Sequence, residues 1–332
     1  MESKPKVVIT DYDFDDVEIE RRILEEAGAE VVALQAKSEQ DLLAHARDCA
    51  AMINQYAFIG ATTIAAMEQC QVIARYGVGV DIVDVKAATD KGILVTNVQN
   101  YCTEEVADHA ISLWLALARG LFPYNAATHN GVWRWQSAAP LYRVRGQTMG
   151  IVSFGAIGQA IARRAKAFGV HVVAFDPYLE DDAIEAHQAR KVSKAELLER
   201  SDVVMMQVPM TADTYHFLSE DELRAMKQSA FVICTGRGPT INNKALYKAL
   251  SEGWISGAGL DDPEEEPAKR ENWIPDQNPL FSLPNVIVTP HAAYYSEQSI
   301  EAARTTAAQE VARVLTRQTP RNPVNQLDTL SR

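Results

Sequence analysis

The feature that most restricts the fold of this chain is an apolar run that ends in a glycine-containing turn and continues as a helix. Met149–Phe154 has the pattern of a buried strand, and Gln159–Phe168 has the pattern of a helix. Gly155 and Gly158 lie in the turn between them. Small residues here allow a tight turn and close packing of the helix, and they let the backbone approach a phosphate. The segment therefore predicts a parallel sheet flanked by helices.

The residues after this turn predict a dinucleotide site. The next strand, Val170–Phe175, ends in Asp176, about 20 residues beyond Gly155, where a carboxylate binds ribose hydroxyls and repels a 2′-phosphate. No arginine adjoins this acid, so the pattern favours NAD over NADP. Ser153 stands at the first glycine position of the GxGxxG pattern. The alternative interpretation is that the glycines only tighten a structural turn and that Asp176 caps a loop.

Strand-like and helix-like segments alternate along the chain in two series. The first series covers residues 6–97, and the second starts at Thr148. A long helix is predicted over Thr103–Leu121 between them, with Thr103 as its N-cap. The final helix, Gln298–Thr316, is predicted to return to the first series. A length of 332 residues agrees with two domains.

Composition argues against several classes of function. The net charge of −12 argues against broad nucleic-acid binding, which needs a basic face. The longest apolar stretches are far shorter than the ~20 residues of a membrane-spanning helix, so no membrane interaction is expected. The four cysteines have no CxxC spacing, which predicts reduced thiols in a cytoplasmic protein and no metal site.

Three kinds of polar group follow strands of the second series, at the sheet edge where ligands bind in open parallel sheets. They are Arg237, the carboxylates within 261–266, and His291; the other six histidines have no comparable context. In hydride transfer between a 2-hydroxy acid and a nicotinamide, a histidine carries the hydroxyl proton and a carboxylate orients that histidine. An arginine holds the substrate carboxylate. Each of the three, considered alone, also has a non-catalytic interpretation: a surface arginine, a solvated acidic loop or a structural histidine.

With these residues in view, the sequence resembles the D-isomer-specific 2-hydroxyacid dehydrogenase family over nearly its whole length. The resemblance lies in Thr103–His109, the turn through Gly158, the Arg237 loop, the Asp261 loop and Thr289-Pro290-His291. Asp176-Pro177-Tyr178 and the segment 291–298 resemble the C-terminal-binding-protein branch, which contains transcriptional corepressors with the dehydrogenase fold.

The resemblance implies a fold of class α/β with two Rossmann-like, doubly wound parallel-sheet domains. Interdomain helices join the two domains, and an active-site cleft lies between them. The implied substrate-binding, flavodoxin-like domain covers residues 1–102 and 299–332, and the implied NAD-binding Rossmann domain covers residues 103–298.

The resemblance also assigns roles to individual residues. It implies that Arg237, Glu266 and His291 are catalytic, with Glu266 as the carboxylate paired with the histidine. The implied NAD contacts are Thr103, Gly155, Ala156, Ile157, Gly158, Asp176, Pro209, Thr214, Thr235, Asp261 and His291. The implied substrate contacts are Tyr56, Arg237, Tyr294 and the backbone N–H groups of Val78 and Gly79. Tyr294 stands where the corepressor branch has tryptophan, and Glu266 argues against a formate dehydrogenase.

These observations predict an NAD-dependent oxidoreductase that transfers a hydride between NAD(H) and a 2-hydroxy or 2-keto acid, running as a 2-keto acid reductase. The alternative is an NAD(H)-responsive, corepressor-like protein-binding module in which turnover is incidental. The family implies a homodimer formed through the NAD-binding domains. The apolar segments Ile111–Phe122, with Trp114, and Trp133–Trp135 suit either such a surface or packing within one chain.

Overall fold

The computed structural model describes residues 4–264 and 273–327. The chain divides into two compact units, one of residues 1–101 with 296–332 and one of residues 102–295. Each unit contains one parallel sheet, so the predicted α/β class with two parallel sheets is confirmed. The boundaries between the units lie one to three residues from the predicted domain boundaries. The assignment of substrate binding to the first unit stays a prediction.

The first unit is built around a five-stranded parallel sheet. Its elements are β1 (Lys6–Ile9), α1 (Glu18–Glu26), β2 (Glu30–Ala33), α2 (Glu39–Ala46), β3 (Cys49–Asn54), α3 (Ala61–Ala66), β4 (Val72–Arg75), α4 (Val85–Asp90) and β5 (Leu94–Thr96). The strand order is β2-β1-β3-β4-β5, the doubly wound order in which helices cover both faces. Its central strands are short apolar runs because both of their faces are buried.

The second unit is built around a seven-stranded parallel sheet. Its elements are α5 (Thr103–Ala118), α6 (Leu121–His129), β6 (Thr148–Val152), α7 (Ala156–Ala167), β7 (His171–Phe175), α8 (Asp181–Glu185), β8 (Arg190–Lys191), α9 (Lys194–Arg200), β9 (Val203–Met206), α10 (Glu220–Ala225), β10 (Phe231–Cys234), α11 (Asn243–Ser251), β11 (Gly257–Leu260) and β12 (Val286–Val288). The strand order is β12-β11-β10-β9-β6-β7-β8. The order reverses between β6 and β9, and ligands of open parallel sheets bind outside the strand ends at such a point.

The last helix, α12 (Glu297–Leu315), packs in the first unit, where the sequence predicts it. It contacts α1, β3 and β4. Its buried face is lined by small and branched side chains, namely Ala303, Ala307, Ala308 and Val311. Residues from both ends of the chain therefore form one core.

The long helix of the second unit differs from the prediction at both ends. Cys102 occupies the N-cap position and Thr103 is the first helical residue, so the prediction of Thr103 as N-cap is wrong. Helix α5 ends at Ala118 rather than at Leu121. The reason is Gly120, whose left-handed φ of 59° turns the chain before α6 begins.

Two glycines on β11 let α5 approach the sheet closely. A Cβ at Gly259 would lie 3.0 Å from the Cβ of Leu113, and a Cβ at Gly257 would lie 3.4 Å from Cδ2 of Leu117. The two leucines are one helical turn apart, and the two glycines lie on one face of the strand. The helix and the strand therefore run in opposite directions, and one helical turn lies against every two residues of the strand.

A buried ion cluster joins α1 to α12. Arg304 donates from Nε to Oε1 of Glu20 and from Nη2 to Oε2 of Glu20, each at 2.9 Å, and Nη2 also lies 2.9 Å from Oδ1 of Asp16. The fully buried Glu20 carboxylate accepts a further bond from the Tyr76 hydroxyl at 2.9 Å. Burial raises the pKa of Tyr76 well above its usual range, so the phenol stays protonated and donates. The carboxylate is tolerated in the core because it is paired.

We expect Glu20→Gln to destabilise the protein by about 3 kcal/mol, since the buried Arg304 cation loses its main anionic partner. Glu18→Gln is the matched control, because Glu18 lies exposed on the same helix and pairs with Arg21 only at the surface. Such a surface pair contributes at most about 1 kcal/mol. Urea denaturation followed by circular dichroism measures both variants. Equal denaturation midpoints would contradict the stabilising role of the cluster.

Candidate active site

The turn after β6 has the backbone geometry of a dinucleotide-binding turn. Ser153 has a φ of 71°, in the left-handed region where glycine is normally found. A Cβ at Gly158 would lie 2.5 Å from the carbonyl oxygen of Ser153, so a side chain here would force the helix away from the turn. Apart from its chain neighbours, no atom of the residues that the structure describes lies within 4 Å of a Cβ at Gly155. The turn therefore keeps its shape despite the serine, and it leaves space above Gly155.

The N-terminus of α7 at this turn is available to an anion. Gly155 is the N-cap, and Ala156, Ile157 and Gly158 form the first helical turn. Within the described ranges, no side chain caps this turn, and the turn itself contains no acidic residue. Its backbone N–H groups and the positive end of the helix dipole can therefore bind a pyrophosphate.

Asp176, directly after β7, is held by two backbone N–H groups. Its Oδ2 accepts from Phe154 at 2.8 Å, and its Oδ1 accepts from Tyr178 at 2.9 Å. Each carboxylate oxygen keeps a lone pair for a ribose hydroxyl. Since β6 and β7 are paired, this acid and the glycine turn share one edge of the sheet. The space above Gly155, the uncapped helix end and the carboxylate together fit NAD.

The other predicted NAD contacts outside the turn lie in loops and at a helix start. The Thr235 hydroxyl and the Gln207 amide exchange hydrogen bonds at 2.9 and 3.1 Å. Gln207, directly after β9, was not identified from the sequence as a site residue. The Thr214 hydroxyl donates to the Pro209 carbonyl at 2.6 Å, so it is engaged within its own loop. Thr103 is partly exposed at the start of α5.

Arg237 follows β10 in a loop fixed by its own backbone. The Thr240 hydroxyl donates to the carbonyl oxygen of Arg237 at 2.6 Å. A Cβ at Gly238 would overlap the backbone of Pro263, so the Arg237 loop fits closely against the loop after β11. Burial raises the pKa of the neighbouring Cys234 thiol to about 12, so this cysteine is not a nucleophile at neutral pH.

Glu264 anchors the loop after β11. Its Oε1 lies 2.7 Å from Nε2 of His216, and its Oε2 accepts from the Asn243 N–H at 3.1 Å. Glu264 is thus engaged in holding the loop. Glu266, the predicted catalytic carboxylate, lies outside the described residues, two positions beyond this anchor.

The Asp261 carboxylate caps the turn that carries His291. It is 1% exposed, and it accepts from the Thr289 hydroxyl at 2.5 Å and from the N–H groups of Ala292 and Ala293 at 2.9 and 2.8 Å. The carbonyl oxygen of Asp261 accepts from the N–H of His291 at 2.8 Å. His291 has a left-handed φ of 52°, which an L residue adopts only where its surroundings hold it. Asp261 therefore fixes the backbone of the histidine.

The imidazole of His291 contacts Tyr294, so the structure brings these two predicted site residues together. Their ring centroids are 6.0 Å apart and the rings are nearly perpendicular, at 82°. Both residues are partly exposed. The aromatic edge contact restricts the orientation of the imidazole.

Tyr56, a predicted substrate contact of the first unit, is fixed by two aspartates that follow β1. Oδ2 of Asp11 accepts from the Tyr56 N–H at 2.6 Å, and Oδ2 of Asp13 accepts from the Tyr56 hydroxyl at 3.1 Å. Asp11 and Asp13 were not identified from the sequence. No local pattern indicates them, because their contacts join the segment after β1 to the segment after β3.

Val78 and Gly79 follow β4 in the first unit. Val78 is 46% exposed, and its carbonyl oxygen accepts from the side chain of Asn97 at 2.7 Å. Asn97, beyond β5, was also not identified from the sequence, because its contact joins the ends of two neighbouring strands. The hydrogen bond from Asn97 to this loop is thus made to a backbone carbonyl oxygen.

His109 is another residue near the candidate site that was not identified from the sequence. Its Nε2 lies 2.9 Å from Oγ1 of Thr289, beside the turn that carries His291. The sequence nevertheless contains a spacing of residues that could have indicated this position. Leucines follow one and two turns later on α5, and they face glycines at alternate positions of β11.

Two further structural observations bear on function. Across residues 4–264 and 273–327, no group of His, Cys, Asp and Glu side chains is arranged to hold a metal ion. In the same part of the chain, no helix has both the length and the apolar character needed to cross a membrane.

Comparison with known proteins gives consistent matches. Residues 111–293 match the family described as D-isomer specific 2-hydroxyacid dehydrogenase, NAD binding domain. A glyoxylate reductase of Korarchaeum cryptofilum is 39% identical over 293 residues, which are 87% of this chain and 86% of that protein. A D-3-phosphoglycerate dehydrogenase of Methanocaldococcus jannaschii is 35% identical over 322 residues, which are 96% of this chain and 59% of that protein. The structure of an Aquifex aeolicus D-lactate dehydrogenase, complexed with NAD and lactic acid, has a TM-score of 0.86 at 27% identity, covering 96% of this chain and 98% of that one.

The two glycines of the turn separate a structural role from a ligand-binding role. We expect Gly155→Ala to weaken NADH binding about tenfold or more, since its methyl group enters the space that a pyrophosphate would occupy, with little change in Tm. We expect Gly158→Ala to destabilise the protein by about 1–3 kcal/mol, since its methyl group overlaps a carbonyl oxygen. Fluorescence titration with NADH and thermal unfolding measure the two effects. Unchanged NADH binding by Gly155→Ala would refute the placement of the pyrophosphate.

Proposed function

Because the chain belongs to the D-isomer specific 2-hydroxyacid dehydrogenase family, we propose that it reduces a short 2-keto acid to the 2-hydroxy acid. The chain is an NAD-dependent oxidoreductase that acts on 2-hydroxy and 2-keto acids. Several relatives are named glyoxylate reductase, so glyoxylate is the first substrate to test. Tyr56 and Tyr294 are proposed to set which substrate side chain is accepted.

One observation carries this proposal: β10, β11 and β12 end level with one another. The last residues of the three strands are partners in the parallel ladders. After β10 the chain enters the Arg237 loop, after β11 it continues at Asp261, and after β12 it enters the turn that carries His291. A guanidinium and an imidazole thus follow one sheet edge, the edge that also carries the dinucleotide turn, and the Asp261 carboxylate between them caps the turn of His291. Hydride transfer to a 2-keto acid needs a cation for the substrate carboxylate and a proton donor for the keto oxygen.

The proposed chemistry divides among a few side chains. Bound NADH supplies the hydride. Arg237 holds the substrate carboxylate and polarises the keto oxygen. The backbone N–H groups of Val78 and Gly79 are proposed substrate contacts of the first unit. His291 donates a proton to the keto oxygen as the hydride reaches the carbon, and it takes the proton back in the reverse direction. Glu266 is proposed to accept a hydrogen bond from the imidazole and to orient it.

A protein-binding module that responds to NAD(H) is the alternative function. Phe58 and Val78 of the first unit are 55% and 46% exposed, and such apolar side chains suit a peptide-binding surface. This alternative predicts NADH binding without turnover of any 2-keto acid. A panel of 2-keto acids, assayed by NADH oxidation, therefore separates the two functions.

We also propose a homodimer formed through the second unit. Phe122, Trp133 and Trp135 are exposed on α6 and the segment that follows it, and an aromatic patch of this kind suits an interface. Trp114 does not belong to that patch, because it is fully buried in its own unit and packs against Phe168. The four cysteines are free thiols, which supports the proposal of a cytoplasmic protein.

We expect His291→Asn to lower kcat by about 100- to 10,000-fold, because the proton donor is lost. Arg237→Lys, which lacks the planar fork, is expected to lower kcat/KM for the keto acid about 100-fold. NADH affinity, measured by fluorescence, should change less than about threefold in both variants. His45→Asn, on α2 of the first unit, is the control. Near-wild-type kcat/KM in both site variants would show that the assignment is wrong.

The double substitution Trp133→Ser and Trp135→Ser is expected to weaken the dimer about 100-fold or more, because it removes aromatic anchors of the interface. Sedimentation velocity at several protein concentrations measures the change. Tyr178→Ser, which alters an equally exposed aromatic outside the patch, is the control. A wild-type protein that sediments as a monomer at micromolar concentration would contradict the proposal.

A further inference from the structure

His109 reaches the turn of His291 although it lies on a helix far away in the sequence. The leucines one and two turns later on α5 face the glycines of β11. The same register brings His109 to Asp261, the next residue on that face beyond the strand. The imidazole is about three-quarters covered, and its Nε2 lies 3.6 Å from Oδ1 of Asp261. The close packing of α5 on β11 thus places the imidazole of His109 at the end of β11.

The hydrogen bonds at this contact have a defined direction. The Thr289 hydroxyl donates its single proton to Oδ1 of Asp261 at 2.5 Å. Nε2 of His109 lies 2.9 Å from the same hydroxyl oxygen. Because the hydroxyl proton is already used, the Nε2–H of His109 must be the donor in this second bond. A chain of donors therefore runs from the imidazole through the hydroxyl to the carboxylate.

The carboxylate at the end of this chain caps the backbone beside His291. It accepts from the N–H groups of Ala292 and Ala293, while its own carbonyl oxygen accepts from the N–H of His291. The Thr289 hydroxyl is its third donor. If the imidazole no longer donates, the hydroxyl can rotate away from the carboxylate, and the left-handed turn loses part of its support.

We propose that His109 is a positioning residue that acts on His291 through Thr289 and Asp261. The inference rests on the proposed role of His291 as the proton donor. His109 itself does not donate to the substrate. It orients the hydroxyl, the hydroxyl orients the carboxylate, and the carboxylate holds the turn on which the proton donor stands. The effect falls on kcat, because the orientation of the donor matters in the transition state more than in cofactor or substrate binding.

The first test compares two substitutions at one position. Thr289→Val removes the hydroxyl and keeps the shape, whereas Thr289→Ser keeps the hydroxyl and removes the methyl group. We expect Thr289→Val to lower kcat about 10- to 100-fold and Thr289→Ser to lower it less than about threefold. KM for the keto acid and the Kd of NADH should stay within about threefold in both. Equal kcat values for the two variants would overturn the proposal.

The second test addresses the imidazole. His109→Leu removes the donor, and His109→Gln places an amide N–H near the position of Nε2. We expect a loss of about 10- to 100-fold in kcat for His109→Leu and recovery to within about threefold for His109→Gln. His45→Leu, a half-buried helical histidine in the first unit, is the matched control for loss of an imidazole. A wild-type kcat for His109→Leu would also overturn the proposal.

The double variant His109→Leu with Thr289→Val separates a chain from two independent effects. If the imidazole acts through the hydroxyl, kcat of the double variant should equal that of Thr289→Val, and multiplied losses would contradict the chain. Should His109→Leu fail to fold by circular dichroism, the Thr289 pair decides alone. Failure of the proposed function gives a different result, since His291→Asn itself would then retain full kcat.

Discussion

The site depends on the parallel register of β10, β11 and β12. Cys234 pairs with Leu260, and Leu260 pairs with Val288, so three connections leave the sheet at one level. A slip of one residue would turn every side chain of a strand to the opposite face, and the side chains of these strands are divided between two separate hydrophobic cores. The backbone pairing of β11 with its two neighbours thus places Asp261, the next residue of the chain, where it can cap the turn of His291.

Most of the second sheet could be predicted from the sequence because its strands are apolar runs separated by helical patterns. The predicted strand Val203–Gln207 differs from β9 by one residue, and Ser256–Leu260 differs from β11 by one. Strand β8 was not predicted, because its two residues are both basic and have no apolar period. The end of α5 was placed too late, because a glycine in an apolar pattern does not reveal its own φ.

Residues of the candidate site could be selected from the sequence where they directly follow a strand, and not where residues support each other across the fold. Arg237 and His291 each follow a strand, and their shared position at one sheet edge made them candidates. Gln207 contacts a distant segment that no local pattern displays, and the spacing that places His109 can be interpreted only once α5 is known to pack on β11. Ser153 illustrates the converse case. This serine stands where the pattern has glycine, yet its backbone takes the left-handed conformation because the strand before it and the helix after it are both fixed.

The ion cluster of the first unit has a consequence for how the chain is made. Glu20 and Arg304 are 284 residues apart, and the whole second unit is synthesised between them. At about 5–20 residues per second, a ribosome needs roughly 15 to 60 seconds for that interval. During this time α1 lacks both its cationic partner and the helix that covers it. The second unit is continuous in sequence and can fold as soon as it emerges. The part of the protein that is translated first is therefore completed last, and its half-covered sheet is the surface that a chaperone would have to protect.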